Sequence, residues 1–122
     1  MREKIDEIIL ITECEDGSPH IAPFGIRERD GLILIAPFKP STSLTNMLAG
    51  RPVTLNTTDD VRVFAGALTG RRSWPVSKQD DAIVLSSALS YQRLKLVQVE
   101  DDEVRPNLYF EVLKQSNLKP FR

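Results

Sequence analysis

The chain has 122 residues, 41% hydrophobic and 27% charged, with a formal net charge of −1. That suits one folded globular domain and leaves no basic excess for binding a nucleic acid. A single cysteine, Cys14, excludes an intrachain disulfide or a cysteine-based metal cluster, and a single histidine, His20, excludes most histidine-rich metal sites.

The first half of the chain reads as strands joined by sharp turns. Ile5 to Cys14 is rich in isoleucine and ends at Glu15-Asp16-Gly17-Ser18, a hairpin signal. His20 to Arg27 is a second strand. It carries Pro23, which has no N–H for a sheet ladder, and Gly25, so it is expected at an edge or where a ligand approaches the backbone. Arg29-Asp30-Gly31 turns the chain into a short apolar strand, Leu32 to Phe38, expected to be buried on both faces.

Past Phe38 the period changes. Leu44, Met47 and Leu48 stand at helical spacing behind Ser41, Thr42 and Ser43, any of which can cap a helix, and Gly50 and Pro52 end it. Val53 to Asn56 reads as a strand. Val61, Phe64, Ala65 and Leu68 then give a second helical spacing, with Asp59 as its natural cap and Gly70 at its end. Arg71 to Gln79, with Trp74-Pro75, reads as a loop, and Asp80 to Ala88 as a short strand or a loop anchor. Gln92 to Val99 and Asn107 to Lys114 form a long antiparallel pair around the acidic turn Glu100-Asp101-Asp102-Glu103. Leu108, Phe110 and Val112 share one face of the last strand. Leu94 and Leu96 alternate but Val97 and Val99 take the other face, which a bulge or burial on both faces would explain. Many short strands with small helices predict a mainly β barrel rather than a parallel sheet, which needs longer crossovers. A core this small would gain stability from association.

Two stretches carry chemistry. Pro37-Phe38-Lys39-Pro40-Ser41-Thr42-Ser43 joins a buried strand to a helix start, where free N–H groups, three hydroxyls and one ammonium make a phosphate cradle. The same residues also make an ordinary capped helix, and spacing alone leaves both readings open. Asn56-Thr57-Thr58-Asp59-Asp60, at the end of the next strand, offers polar groups to a planar ligand or caps for a second helix. His20 reads as a surface residue, Cys14 as a small buried apolar group, and Trp74 as a loop anchor or a cleft wall. The acidic run 100–103 lacks calcium-loop spacing and reads as a solvated turn.

Three blocks in order, Glu15 to Gly25, Pro37 to Thr42, and Asn56 to Val61 with Phe64-Ala65, resemble the domain of unknown function 447 family within the FMN-binding split-barrel superfamily. The resemblance implies a six-stranded, Greek-key-like split barrel, one domain over residues 1–122, forming a homodimer with FMN in clefts between subunits. It implies that Lys39, Ser41, Thr42 and Ser43 hold the FMN phosphate. Ala22, Pro23, Phe24 and Gly25 would pass the flavin ring, and Asn56, Thr57 and Asp59 would lie near the ring or ribityl chain. Relatives usually continue into a helical C-terminal segment, whereas this chain stops at Lys119-Pro120-Phe121-Arg122, as a short member or a truncated one. The implied function is an FMN-dependent oxidoreductase on an unidentified small-molecule redox substrate, with Arg27, Lys39 and Arg62 as candidate positive groups near the ring. A flavin-binding carrier or sensor, or a structural dimer that has lost flavin, are the alternatives. No partner nucleic acid or membrane is expected. The charged start Met1-Arg2-Glu3-Lys4 and the lack of a long apolar run make the cytoplasm the expected compartment.

Overall fold

A computed structural model describes residues 4–68, 74–79 and 82–118. Six antiparallel strands close into a barrel: β1 (Asp6–Glu13), β2 (Pro19–Arg29), β3 (Leu32–Ile35), β4 (Val53–Thr57), β7 (Ser90–Glu100) and β8 (Asn107–Asn117), in the order β1-β2-β3-β8-β7-β4. β5 (Val76–Gln79) and β6 (Ala82–Leu85) form a separate two-stranded ribbon. Two short helices, α1 (Thr42–Leu48) and α2 (Val61–Leu68), flank β4. The mainly β split-barrel expectation is met.

Both early turns follow from their residues. Asp16 accepts hydrogen bonds at Oδ1 from the Ser18 N–H (3.0 Å) and hydroxyl (2.6 Å), and Gly17 takes φ 85°. Asp30 and Gly31 both have positive φ, 54° and 78°, as a two-residue turn between Arg29 and Leu32 needs.

Alternation along the strands builds two cores. Ile8, Leu10, Ile26, Ile35, Leu55, Leu94, Leu108 and Phe110 fill the barrel, and α1 closes it with Leu44 and Met47. The opposite faces of β1 and β2 carry Ile9, Ile11 and Ile21. These pack outside the barrel against Val63 of α2, Val84 and Leu85 of β6, and Tyr91. Strands β1 and β2 are therefore apolar on both sides, which explains the unbroken Ile8-Ile9-Leu10-Ile11 run.

Three elements differ from the sequence reading. β3 ends at Ile35 rather than Phe38. Its continuation is held by the β7–β8 turn instead of a strand: Arg105 Nε donates to the Ala36 carbonyl (2.6 Å), and the Lys39 N–H donates to the Val104 carbonyl (2.8 Å). The end of the expected 71–79 loop forms β5, because its backbone pairs with β6; the loop's start at 71–73 lies outside the described residues. On β8, Val112 keeps the face of Leu108 and Phe110, pairing with Leu94 in unbroken register from the Phe110–Leu96 pair. It is exposed at 41%, so the buried stretch of that face ends at Phe110; the ladder shifts register just beyond Val112, between Arg93 and Leu94. A second shift, between Leu96 and Gln98, is a bulge at Val97, and since Val97 and Val99 are both exposed it is the bulge rather than burial on both faces that accounts for their pattern.

On the outer face, Arg29 Nη1 donates to the Tyr109 hydroxyl (3.2 Å), which donates to Glu100 Oε1 (2.5 Å), tying β2, β8 and β7. The Tyr109 hydroxyl, then the Asn107 amide, hold the Glu100 carboxyl below its ordinary value. A depressed folded-state pKa gives stability that is present above the unfolded value and lost as pH falls through the folded one. Denaturant midpoints measured from about pH 5 to pH 3 should therefore fall, and Glu100→Gln should make that fall shallower. An unchanged slope in the variant would show that this tie does not contribute.

Candidate functional site

The barrel is split where β2 leaves β3. β2 pairs with β1 from Pro19 to Ile26, but with β3 only from Arg27 to Arg29. Along Pro19–Ile26 the edge of β2 facing away from β1 thus has no ladder partner among the described residues. Ala22, Pro23, Phe24 and Gly25 lie on this open edge. Their side chains are already placed: Ala22 is buried, Phe24 packs into the barrel core, and a Cβ on Gly25 would stand 2.9 Å from Ile5 Cγ2. What this segment offers a ligand is backbone. Pro23 fits here because its missing N–H costs little in a strand with an unladdered edge.

The chain that parts from β2 runs through Pro37–Pro40 into α1, which packs against β1 and β2. Ser41 caps α1: its Oγ accepts from the Leu44 N–H (3.1 Å) and its carbonyl accepts from the Thr45 N–H (3.1 Å). The N–H groups of Thr42 and Ser43, the first of the helix, have no partner among the described residues. Thr42 is exposed, whereas the Ser43 side chain is buried, so Ser43 offers only its backbone. Pro40, Ser41, Thr42 and Thr45 line a shallow open concavity. Lys39 stands beside it with its ammonium 2.8 Å from Asp101 Oδ1.

That ion pair was not legible in the sequence. The acidic run read as a solvated turn in fact clamps the approach to α1. Asp101 holds Lys39, Asp102 Oδ2 accepts from the N–H groups of Val104 and Arg105, and the Arg105 guanidinium lies 4.5 Å from the centre of the Phe38 ring. Asp101 lies below its ordinary carboxyl value, chiefly because Lys39 donates to it. The partners are 62 residues apart, and no local pattern encodes such a pairing.

The second polar stretch is dispersed. Asn56 is fully buried: its Nδ2 donates to the carbonyls of Thr54 (3.2 Å) and Ile9 (3.4 Å), and its Oδ1 accepts from the Leu85 N–H (3.0 Å). All of its polar capacity in the structure goes to tying β1 and β4 to β6. Thr57 and Asp59 are exposed. Thr57 pairs with Ser90 at the end of β4 opposite Val53, whereas Thr12, which pairs with Val53, bonds to Asn46 of α1. So α1 and Thr57 sit toward opposite ends of the barrel. The cap of α2 is Asp60, not Asp59: Asp60 immediately precedes Val61, and its Oδ1 accepts from the Arg62 N–H (3.0 Å). Of the candidate cations, Arg62 is ion-paired to Asp60 and Lys39 to Asp101, while Arg27 makes no ion pair among the described residues.

Trp74 lines a cleft of about 380 Å³ with Asp60, Arg62, Val63 and Ser87, and also packs against the outer core. No helix among the described residues is long and apolar enough to cross a membrane.

The family model described as "Protein of unknown function (DUF447) N-terminal domain" matches residues 6–119. No curated protein matches the chain. Among solved structures, the FMN-bound protein MM1853 from Methanosarcina mazei, itself of the DUF447 family, superposes with a TM-score of 0.82 at 22% identity, over 99% of this chain and 66% of that one. The 2-nitrobenzoate 2-nitroreductase NbaA of Pseudomonas fluorescens gives 0.74 at 15% identity, over 91% of this chain and 64% of that one. The styrene monooxygenase flavin reductase of Pseudomonas putida S12 gives 0.78 at 11%, over 95% and 82%. The chain thus spans just under two thirds of the first two. At these identities the likeness establishes the split-barrel fold.

Proposed function

The chain belongs to the DUF447 N-terminal-domain family, and from that premise we propose that it binds FMN at the split between β2 and α1. The observation that carries this reading is the unladdered edge of β2 beside a helix start whose first two N–H groups are unpartnered. The donor set fits the cofactor. A phosphate would take the Thr42 and Ser43 N–H groups and the Thr42 hydroxyl, with Lys39 supplying charge. The ring would lie along Ala22–Gly25, whose backbone can bond its polar rim. The FMN-bound relative and the flavin reductases of the same fold support the assignment.

The proposal extends to a homodimer closing the site. Phe38, Val97, Val99 and Val104 are large apolar side chains left exposed, Phe38 and Val104 at 58% each, on the β7–β8 hairpin and the segment it clamps. Such a grouping beside a cofactor cleft suits a partner subunit. Bound flavin would supply electron-transfer chemistry, and the chain would act as an oxidoreductase on a small redox substrate. Its own residues bind the phosphate, orient the ring and, through the partner, exclude water.

Titrating the purified chain with FMN, with mass measured in the same sample, tests the reading. The expected result is saturable binding of one FMN per subunit by a dimer, with riboflavin, which lacks the phosphate, binding roughly tenfold or more weakly. A folded chain that binds neither flavin overturns it. Anaerobic reduction of the bound flavin by nicotinamide donors, followed by acceptor turnover, separates an enzyme from a carrier.

A further inference from the structure

A second concavity, of about 310 Å³, lies between the turn after α1 and the β7–β8 sheet. Leu94 and Leu96 form part of its apolar lining, and Arg51, Arg93, Lys95 and Leu113 also line it. None of the three cations makes an ion pair among the described residues. Glu111 faces Lys95 in the ladder, yet no oxygen of it comes within ion-pair distance. The chain as a whole is slightly acidic, so this is a local concentration of uncompensated positive charge around an apolar lining.

Arg51 is also held in place. Its Nη1 donates to Asn46 Oδ1 (3.0 Å), and Asn46 is 3% exposed on the inner side of α1. The Asn46 Nδ2 donates in turn to Thr12 Oγ1 (3.0 Å) and approaches Cys14 Sγ (3.6 Å). An amide this deeply buried is costly unless it is bonded. Here its bonds run from β1 outward to the guanidinium, fixing a side chain that would otherwise sample many rotamers.

We propose that this groove binds a small organic carboxylate with an apolar body. The volume suits a molecule of one or two rings. Arginine matches a carboxylate bidentately, and a preset guanidinium loses little freedom on binding. The apolar body would rest on Leu96 and Leu113, beneath which Leu94 belongs to the barrel core. The site is separate from the split that holds the proposed flavin, and the inference does not depend on that reading.

The test follows methyl NMR signals of the full chain, with and without FMN, as 1-naphthoate or 1-naphthamide is added. These probes share a ring system and differ in charge. Naphthoate is expected to shift the Leu94, Leu96 and Leu113 methyls saturably, and the amide to bind roughly tenfold more weakly. Arg51→Gln and Arg93→Gln should each weaken naphthoate about fivefold while leaving FMN binding unchanged. Equal binding of the two probes, shifts confined to other residues, no saturation, or insensitivity to both substitutions would each overturn the proposal.

Discussion

Replacing Asn56 with alanine is expected to destabilise the chain by about 3 kcal/mol, lowering its melting temperature by roughly 10 °C. The reasoning starts from placement. Asn56 is completely buried on the outer face of the barrel, with Ile9 as its register partner. Its Oδ1 is the acceptor for the Leu85 N–H. The β5–β6 ribbon is not part of the barrel sheet, and this bond is a polar tie between the two. Removing the side chain leaves a buried N–H unpaired, at about 1–3 kcal/mol, and opens a small cavity beside Ile9. The Leu85 amide should then lose most of its protection against hydrogen exchange before the barrel strands do. A loss under about 1 kcal/mol with Leu85 still protected would mean that water or a shifted side chain replaces the amide.

This residue also shows where sequence reasoning stops. The family resemblance implies a place for Asn56 near a ligand, while its residue type and position alone fit either a ligand contact or a helix cap. Its main acceptor task is set by Leu85, 29 positions away, and no spacing rule connects them. The same holds for Asp101 with Lys39. By contrast, α2 appears over Val61–Leu68, where the apolar period and the acidic pair before it place it, and the β7 bulge falls at Val97, where alternation breaks. Those signals are local: a helix period, a turn residue, a change of face. The early end of β3 sits between the two kinds. Pro37 and Pro40 warn that a ladder must stop, but the β7–β8 turn that takes over the backbone bonds lies far along the chain. The open edge of β2 was readable in outline, since Pro23 and Gly25 fit poorly in a paired strand, whereas its extent follows only from the register.

Ser41 and Thr42 should respond differently to alanine, and the difference decides what the start of α1 is for. Ser41 is committed to the fold as the α1 cap. Ser41→Ala is therefore expected to cost about 1 kcal/mol of stability with or without flavin. Thr42 is exposed, and its hydroxyl makes no hydrogen bond within the described chain. Its removal should leave the apo protein's melting temperature unchanged and weaken FMN by roughly 10- to 100-fold, as expected for one hydroxyl bond to a charged phosphate oxygen. Riboflavin affinity should be unaffected by Thr42→Ala, which ties the loss to the phosphate rather than the ring. Thermal melts of the apo protein beside the two flavin titrations make the comparison. If Thr42→Ala lowers apo stability as much as Ser41→Ala does and FMN binding stays intact, the hydroxyls serve the helix alone. FMN would then have to be held by the β2 edge and Lys39 without a cradle. Because Asp101 already occupies the Lys39 ammonium, that pair alone would be a weak phosphate site, and the cradle residues are the ones on which the flavin reading depends.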